Sequence, residues 1–112
     1  MPESKESISP FPSFNYSETR LELLTWTEVE EYLHTCKGII LPIGSTEQHG
    51  PTGAIGTDAM TAESVAVEVG KRTGVLVAPT QNFGMAEHHL GFPGTMSLRP
   101  STLLSVIHDL LI

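Results

Sequence analysis

Three side chains that could bind metal ions lie close together in the middle of the sequence. Glu47 and His49 are two positions apart, and Asp58 follows after a stretch rich in glycine. Side chains two positions apart on an extended backbone point to the same side, and glycines let the chain fold back sharply. Carboxylates and imidazoles are ligands that zinc and manganese accept in proteins. The spacing therefore predicts a site for divalent metals, and hydrolysis is chemistry that such a site supports.

Simpler roles are open for the same residues. An aspartate at a helix start commonly caps the helix, and an acid and a histidine in a loop are commonly just solvated. Two other kinds of site are excluded by the loop itself. It lacks the Gly-Lys-Ser/Thr ending of a phosphate-binding loop, and it is not a Gly-x-Ser-x-Gly nucleophile elbow, because Ser45 directly follows Gly44.

A second group of polar residues, Glu87, His88 and His89, lies further along the chain. Adjacent side chains on an extended backbone face opposite ways, so at most one of the two histidines enters a given pocket. We predict that either His88 or His89 is a pocket residue, and the alternative is a surface or supporting histidine. His34 and His108 lie on predicted helices without partners, and we interpret both as structural.

The apolar pattern predicts the elements that position these residues. In chain order they are a helix over residues 21–36, a strand over 38–43, a helix over 59–71, a strand over 75–78, and a third helix from Pro100. Thr25 and Glu28 have capping-box spacing within the first helix, and Thr57 or Asp58 is expected at the N-cap of the second. Strand, helix and strand at this spacing predict a parallel βαβ unit. Sites in such sheets form beyond the carboxyl ends of the strands, where both candidate loops begin.

Composition narrows the classes of protein and partner. The formal net charge is −7 and the six basic residues are scattered, which argues against a nucleic-acid partner. No apolar run approaches the roughly 20 residues that cross a bilayer, and no signal peptide is visible. A single cysteine, Cys36, fits a cytoplasmic location and is interpreted as buried filler.

The order of elements predicts the domain organisation. We predict a flexible arm over residues 1–19 and the N-terminal part of an α/β domain over residues 20–112, with its C-terminal half absent. The reasons are that the third helix ends in an apolar pattern and that a parallel sheet needs more strands.

Four segments of the chain resemble the creatininase (creatinine amidohydrolase) family. They are LTWTEV at residues 24–29, LPIGSTEQHGP at residues 41–51, GTD at residues 56–58 and FPGTMSL at residues 92–98. The resemblance extends over about residues 20–112. It implies a three-layer α/β/α fold with a parallel sheet, a centre of two divalent metals (zinc, manganese or iron), and homo-oligomers, often hexamers.

By motif position, the resemblance implies that Glu47 binds one metal, His49 binds the other, and Asp58 bridges them. The expected reaction is hydrolysis of a C–N bond in a small cyclic amide or formamide by a metal-bound hydroxide. Within the family, a formamide deformylase or a peptide-maturation peptidase is the alternative. From another class, the chain is a truncated product or a binding module without catalysis.

Two departures from the family pattern bear on these expectations. Many members have His-Leu-Pro after Gly-Pro, whereas this chain has Thr52, Gly53 and Ala54, which changes the pocket wall. A further metal-binding histidine and later catalytic residues of the family fall beyond residue 112. Three ligands shared between two ions leave each site sparse, so we expect the segment alone to be inactive and to bind metal weakly.

Overall fold

The computed structural model describes residues 18–111. The predicted arm lies outside the described residues except for Glu18 and Thr19. The five regular elements are α1 (Trp26–Tyr32), β1 (Ile39–Ile40), α2 (Thr57–Thr73), β2 (Leu76–Val77) and α3 (Pro100–Leu111), with short 3-10 helices at Leu21–Leu23 and Glu87–His89. None of the helices in this part of the chain is long and apolar enough to cross a membrane.

The described chain divides into two compact units. The first unit comprises residues 18–42 and 64–79, and the second comprises residues 43–63 and 80–111. Helix α2 therefore begins in the second unit and ends in the first. All the candidate site residues belong to the second unit.

The first unit contains the parallel strand pair that the sequence predicts. Ile39 of β1 is opposite Leu76 of β2, and Ile40 is opposite Val77. Both strands are shorter than the predicted strands at residues 38–43 and 75–78. Thr19 is buried, and its carbonyl accepts a hydrogen bond of 2.7 Å from the amide of Val77, so the chain before α1 also contacts β2.

The core of the first unit is built around Tyr32, Cys36 and Leu76, which are almost fully buried. The phenol of Tyr32 donates to the carbonyl of Gly38 at 2.7 Å and accepts from the amide of Leu76 at 3.2 Å. A tyrosine hydroxyl in an apolar core needs such partners, because an unsatisfied buried hydroxyl costs free energy. Cys36 is buried in this core, as the sequence predicts.

Helix α1 is shorter than the predicted helix over residues 21–36. The capping box is present: the amide of Glu28 donates to Thr25 Oγ1 at 3.3 Å, and the amide of Thr25 donates to Glu28 Oε1 at 2.8 Å. The N-cap residue marks the start of a helix, so α1 cannot extend upstream of Thr25. Leu21–Leu23 form a separate 3-10 helix.

The other two predicted helices are present, but the start of α2 and the burial of α3 differ from the prediction. Helix α2 begins at Thr57, so Asp58 lies in its first turn and neither residue is the N-cap. Helix α3 begins at Pro100, as predicted from its sequence. Within the described chain, however, Leu104 and Leu111 of its apolar side are 72% and 71% exposed.

Candidate metal centre

Two loops of the second unit run side by side. We call residues 44–56 the site loop and residues 80–98 the second loop. The two segments begin as parallel neighbours, with a bridge between Ile43 and Gln81, and they meet again in an antiparallel bridge between Thr46 and Met96. Residues that are about 40–50 positions apart in the sequence are therefore adjacent here.

The start of the site loop lies directly against the first turn of α2. A Cβ atom added at Gly44 would lie 2.6 Å from the amide nitrogen of Ala59 and 2.8 Å from its Cβ. Only glycine permits this approach, because the opposing atoms include the helix backbone. The contact places the loop that carries Glu47 and His49 beside the helix turn that carries Asp58.

Backbone hydrogen bonds then fix the middle of the site loop. The amide of Glu47 donates to the carbonyl of Ile55 at 3.1 Å, and the amide of Met96 donates to the carbonyl of Thr46 at 2.9 Å. The amide of Gln48 donates to the side-chain oxygen of Thr95 at 3.0 Å. The FPGTMSL segment thus contributes to the site by holding the backbone from which the candidate ligands project.

His49 and Asp58 form the first of two histidine–carboxylate pairs. His49 Nε2 lies 3.2 Å from Asp58 Oδ1, and His49 Nδ1 lies 2.9 Å from the carbonyl oxygen of Glu47. A carbonyl oxygen only accepts, so Nδ1 carries the proton. In the neutral ring, Nε2 then presents its lone pair to a carboxylate oxygen, and two acceptors face each other.

The charge balance at this pair favours a cation. The carbonyl of Glu47, ahead of the carboxylate of Asp58, raises the pKa of His49 above its ordinary value, with partial desolvation opposing. Either a proton or a metal ion relieves the repulsion between Nε2 and Oδ1.

Glu47 and His89 form the second pair. His89 Nε2 lies 3.3 Å from Glu47 Oε2, and the hydroxyl of the buried Ser45 donates to Glu47 Oε1 at 2.6 Å. The Glu47 side chain is only 15% exposed. A carboxylate in this position has donors on both oxygens and little contact with water.

The structure distinguishes the two adjacent histidines. His89 contacts Glu47, whereas His88 is exposed and its ring packs against that of His89 at a tilt of 44°, with centroids 4.1 Å apart. Ligand atoms of Glu47, His88 and His89 all lie within 4.8 Å of one another, a grouping that could hold an ion. Glu47, His49 and Asp58 do not form such a group in the described chain.

All three predicted ligands lie in the second unit, but they do not form a single cluster. His49 and Asp58 are in direct contact, and Glu47 joins them through its backbone oxygen while its side chain contacts His89. Sequence reasoning missed the roles of Ser45 and Thr95, although both lie within the quoted motifs. Their contacts come from tertiary structure, and spacing alone does not reveal them.

The donor set of the first pair fits a divalent metal. Zinc bonds nitrogen and oxygen ligands at about 2.0–2.2 Å, which places two ligands of one tetrahedral ion about 3.3 Å apart. His49 Nε2 and Asp58 Oδ1 have this separation. The Nδ1–H to carbonyl hydrogen bond also gives the orientation that a metal-binding histidine has, with Nε2 free to bind.

A pocket of about 450 Å³ lies along the site loop. Gln48 and Ile55 line it from that loop, and Phe92 and Pro93 line it from the second loop. Its wall is mostly apolar with one amide side chain, a composition typical of a small-molecule site.

Comparison with known proteins places the chain in a family. The model for creatininase, described as creatinine amidohydrolase, matches residues 22–112. The 3-dehydro-scyllo-inosose hydrolase of Thermotoga maritima is 33% identical over 87 residues, covering 77% of this chain and 28% of the relative. The mycofactocin precursor peptide peptidase of Mycolicibacterium smegmatis is 38% identical over 84 residues, covering 69% and 34%. The creatinine amidohydrolase of Pseudomonas putida is 32% identical over 94 residues, covering 79% and 36%.

Solved structures agree with these relatives. A creatininase mutant of Zn–Zn type superposes with a TM-score of 0.78 at 30% identity, covering 86% of this chain and 40% of that one. A manganese form of creatininase gives a TM-score of 0.79 at 30% identity, covering 85% and 39%. The predicted α/β creatininase fold is confirmed, and the chain spans about a third of the length of the curated relatives it matches. The chain belongs to the creatininase family.

Proposed function

We propose that the protein containing this chain is a metal-dependent amidohydrolase that cleaves a C–N bond of a small cyclic amide or a formamide. The observation that carries the proposal is the orientation of His49. Its Nδ1–H is occupied by the carbonyl of Glu47, and its Nε2 lone pair faces Asp58 Oδ1 at 3.2 Å. This arrangement suits a cation, and it lies in a family whose solved members include zinc and manganese forms.

Two divalent ions (zinc, manganese or iron) are the cofactors that we propose. His49 and Asp58 would hold one ion, and Glu47 would hold the other, with Asp58 shared between them. When bound, two such ions acidify a water molecule and polarise a carbonyl oxygen. The chain's own residues prepare the site, because the carbonyl of Glu47 orients His49 and the hydroxyl of Ser45 orients Glu47.

The substrate pocket that we propose is the apolar one along the site loop. Phe92, Pro93 and Ile55 would contact the body of a small cyclic amide, and Gln48 also lines the pocket. Apolar walls with few polar groups bind small neutral molecules by excluding water.

A peptidase that acts on a modified or precursor peptide is the second candidate function. The observation that favours it is the 38% identity with a mycofactocin precursor peptide peptidase. The two candidates differ in substrate, so turnover of a cyclic amide or N-formyl compound by the purified, metal-loaded protein supports the first, and turnover of a peptide alone supports the second.

The metal content of the full-length protein tests the proposal. About two metals per subunit are expected by elemental analysis. The substitution Asp58→Ala should remove both, and Glu47→Ala or His49→Ala should each weaken one preferentially. His34→Ala is a matched control, since His34 is exposed and belongs to the first unit.

Two results would contradict the proposal. A protein purified without metal, and unable to take up zinc or manganese, would favour a binding module without catalysis. Equal and negligible effects of the three alanine substitutions would show that these residues are not ligands.

We further propose a cytoplasmic homo-oligomer, a hexamer by resemblance, in which residues 1–19 form an arm and residues 20–112 form the N-terminal part of the α/β domain. The buried single cysteine and the net charge of −7 are compatible with this location. Light scattering coupled to size-exclusion chromatography would measure the subunit number.

A further inference from the structure

A chain of hydrogen bonds in the second unit begins at Gly50 and ends at Glu47. The amide of Gly50, a residue with a positive φ of 80°, donates to Gln48 Oε1 at 2.8 Å. An amide N–H needs an acceptor, so this bond fixes which end of the Gln48 side chain is oxygen. The other end, Nε2, lies 2.9 Å from His89 Nδ1.

The orientation of Gln48 determines where His89 carries its proton. A carboxamide nitrogen only donates, so His89 Nδ1 must accept and has no hydrogen. In the neutral ring the proton is then on Nε2, which lies 3.3 Å from Glu47 Oε2 and donates to it. The other oxygen of Glu47 accepts from Ser45.

We propose that His89 is a positioning residue that orients the Glu47 carboxylate toward a metal ion and does not itself bind the ion. This inference rests on the proposed function, in which Glu47 is a ligand. Donors on both carboxylate oxygens hold the group in one rotamer and leave one defined direction for each remaining lone pair. Partners that orient a metal ligand in this way typically change metal affinity by about 10–100-fold when they are removed.

The competing arrangement is a metal bound directly by Glu47, His88 and His89. Their ligand atoms are close enough, within 4.8 Å of one another. This arrangement requires the Nε2 lone pair of His89, so the proton would have to move to Nδ1 and the bond from Gln48 would be lost. His88 is exposed, and within residues 18–111 its ring packs on His89 without a hydrogen bond or ion pair to Glu47.

Zinc titration of the full-length protein separates the two arrangements. His89→Leu should weaken one of the two zinc sites by about 10–100-fold. His89→Gln should recover much of the loss, because a carboxamide can still donate to Glu47. His88→Leu should leave both affinities within about twofold, and an unfolding midpoint for each variant shows whether the fold is retained.

The second readout is the tautomer of His89 from ¹⁵N NMR of the isotope-labelled protein, without metal and with zinc. The proton should be on Nε2 in both states. A zinc-bound Nε2, or a loss of affinity in His88→Leu equal to that in His89→Leu, would overturn the positioning role in favour of direct binding.

The outcomes also separate this inference from the proposed function. If the unaltered protein binds two zinc ions and His89→Leu binds them equally well, the positioning role is wrong while the metal centre stands. If the unaltered protein binds no zinc, both are wrong.

Discussion

The two histidine–carboxylate pairs of the second unit have almost the same nitrogen–oxygen distance, but the histidine nitrogen next to the carboxylate has a lone pair in one and a proton in the other. The nitrogen–oxygen distance is 3.2 Å between His49 and Asp58 and 3.3 Å between His89 and Glu47. In the first pair the remote nitrogen donates to a carbonyl, so the near nitrogen has a lone pair. In the second pair the remote nitrogen accepts from Gln48, so the near nitrogen carries a proton. The partner of the remote nitrogen, and not the distance, therefore distinguishes a candidate ligand from a positioning residue.

The largest expected effect comes from Gly44→Ala, which should disturb both pairs. The new methyl group would overlap the backbone of Ala59, which cannot move without shifting the first turn of α2. We expect a loss of about 3 kcal/mol in the free energy of unfolding, measured by chemical denaturation, and weaker zinc binding at both sites.

The matched control for this prediction is Gly91→Ala. Gly91 lies in the second loop with open space around the position of an added methyl group. A change of less than about 0.5 kcal/mol is expected there. Equal losses in the two variants would show that the contact between Gly44 and Ala59 does not set the geometry of the pairs.

Gln48→Glu should disturb only the pair formed by His89 and Glu47. A glutamate can still accept from the amide of Gly50 but cannot donate to His89 Nδ1, so His89 loses the group that fixes its tautomer. We expect about a tenfold loss of zinc affinity at one site, the lower end of the range for such partners, in isothermal titration.

Gln81→Glu makes the same change of charge at a residue whose side chain bonds to Phe83 and to neither pair. Its zinc affinities should be unchanged. A tenfold loss in this control would assign the effect of Gln48→Glu to net charge.

A pH titration should report on the pair formed by His49 and Asp58. The folded protein raises the pKa of His49 above its ordinary value of 6.5, chiefly through the carbonyl of Glu47. The metal-free protein therefore gains stability from protonated His49 that is fully present below about pH 6.5 and is lost as the pH rises through the raised pKa. Zinc needs the same lone pair, so its affinity should fall as the pH falls through that value.

NMR titration of His49 in the metal-free protein measures this pKa directly. Asp58→Asn should lower the midpoint but leave it above the ordinary value, because the carbonyl of Glu47 remains. A midpoint in the unaltered protein at or below the ordinary value would contradict the assigned hydrogen bond to that carbonyl.

The smallest effect is expected from Thr25→Ala, which removes the capping box of α1 in the first unit. The loss of the bond from the amide of Glu28 should cost about 1 kcal/mol of unfolding free energy and leave zinc binding unchanged. Glu28→Gln keeps the capping pattern and should have little effect on stability. A change in zinc affinity in either variant would show that the cap of α1 affects the two histidine–carboxylate pairs.

The sequence predicts those features that depend on local spacing. Spacing groups Glu47, His49 and Asp58 as candidates, and the structure brings His49 and Asp58 into contact while the side chain of Glu47 contacts His89. The capping box at Thr25 is also visible in the sequence, but the apolar residues upstream continue the periodic pattern and predict a helix from residue 21. The structure shows that the capping box, and not the apolar pattern, marks the start of the helix.

Features that depend on tertiary contacts were beyond sequence reasoning. Gln48 and His89 are 41 positions apart, and their hydrogen bond exists because Thr95 and Met96 hold the two loops together. His88 and His89 are equivalent by spacing, and only the folded contact shows that His89 is the one that lies against Glu47. The shortness of β1 and β2 was missed for a related reason: apolar runs predict burial, whereas strand length depends on which backbone groups find a neighbour.

Three backbone amides of the site loop are already engaged in hydrogen bonds. The peptide N–H groups of Glu47, Gln48 and Gly50 already donate to Ile55, Thr95 and Gln48. They are therefore not free to form an oxyanion hole, the device by which many acyl-transfer enzymes stabilise a tetrahedral intermediate. Under the proposed function, the backbone around Glu47 and Gln48 would therefore leave electrophilic assistance to cations or to side chains.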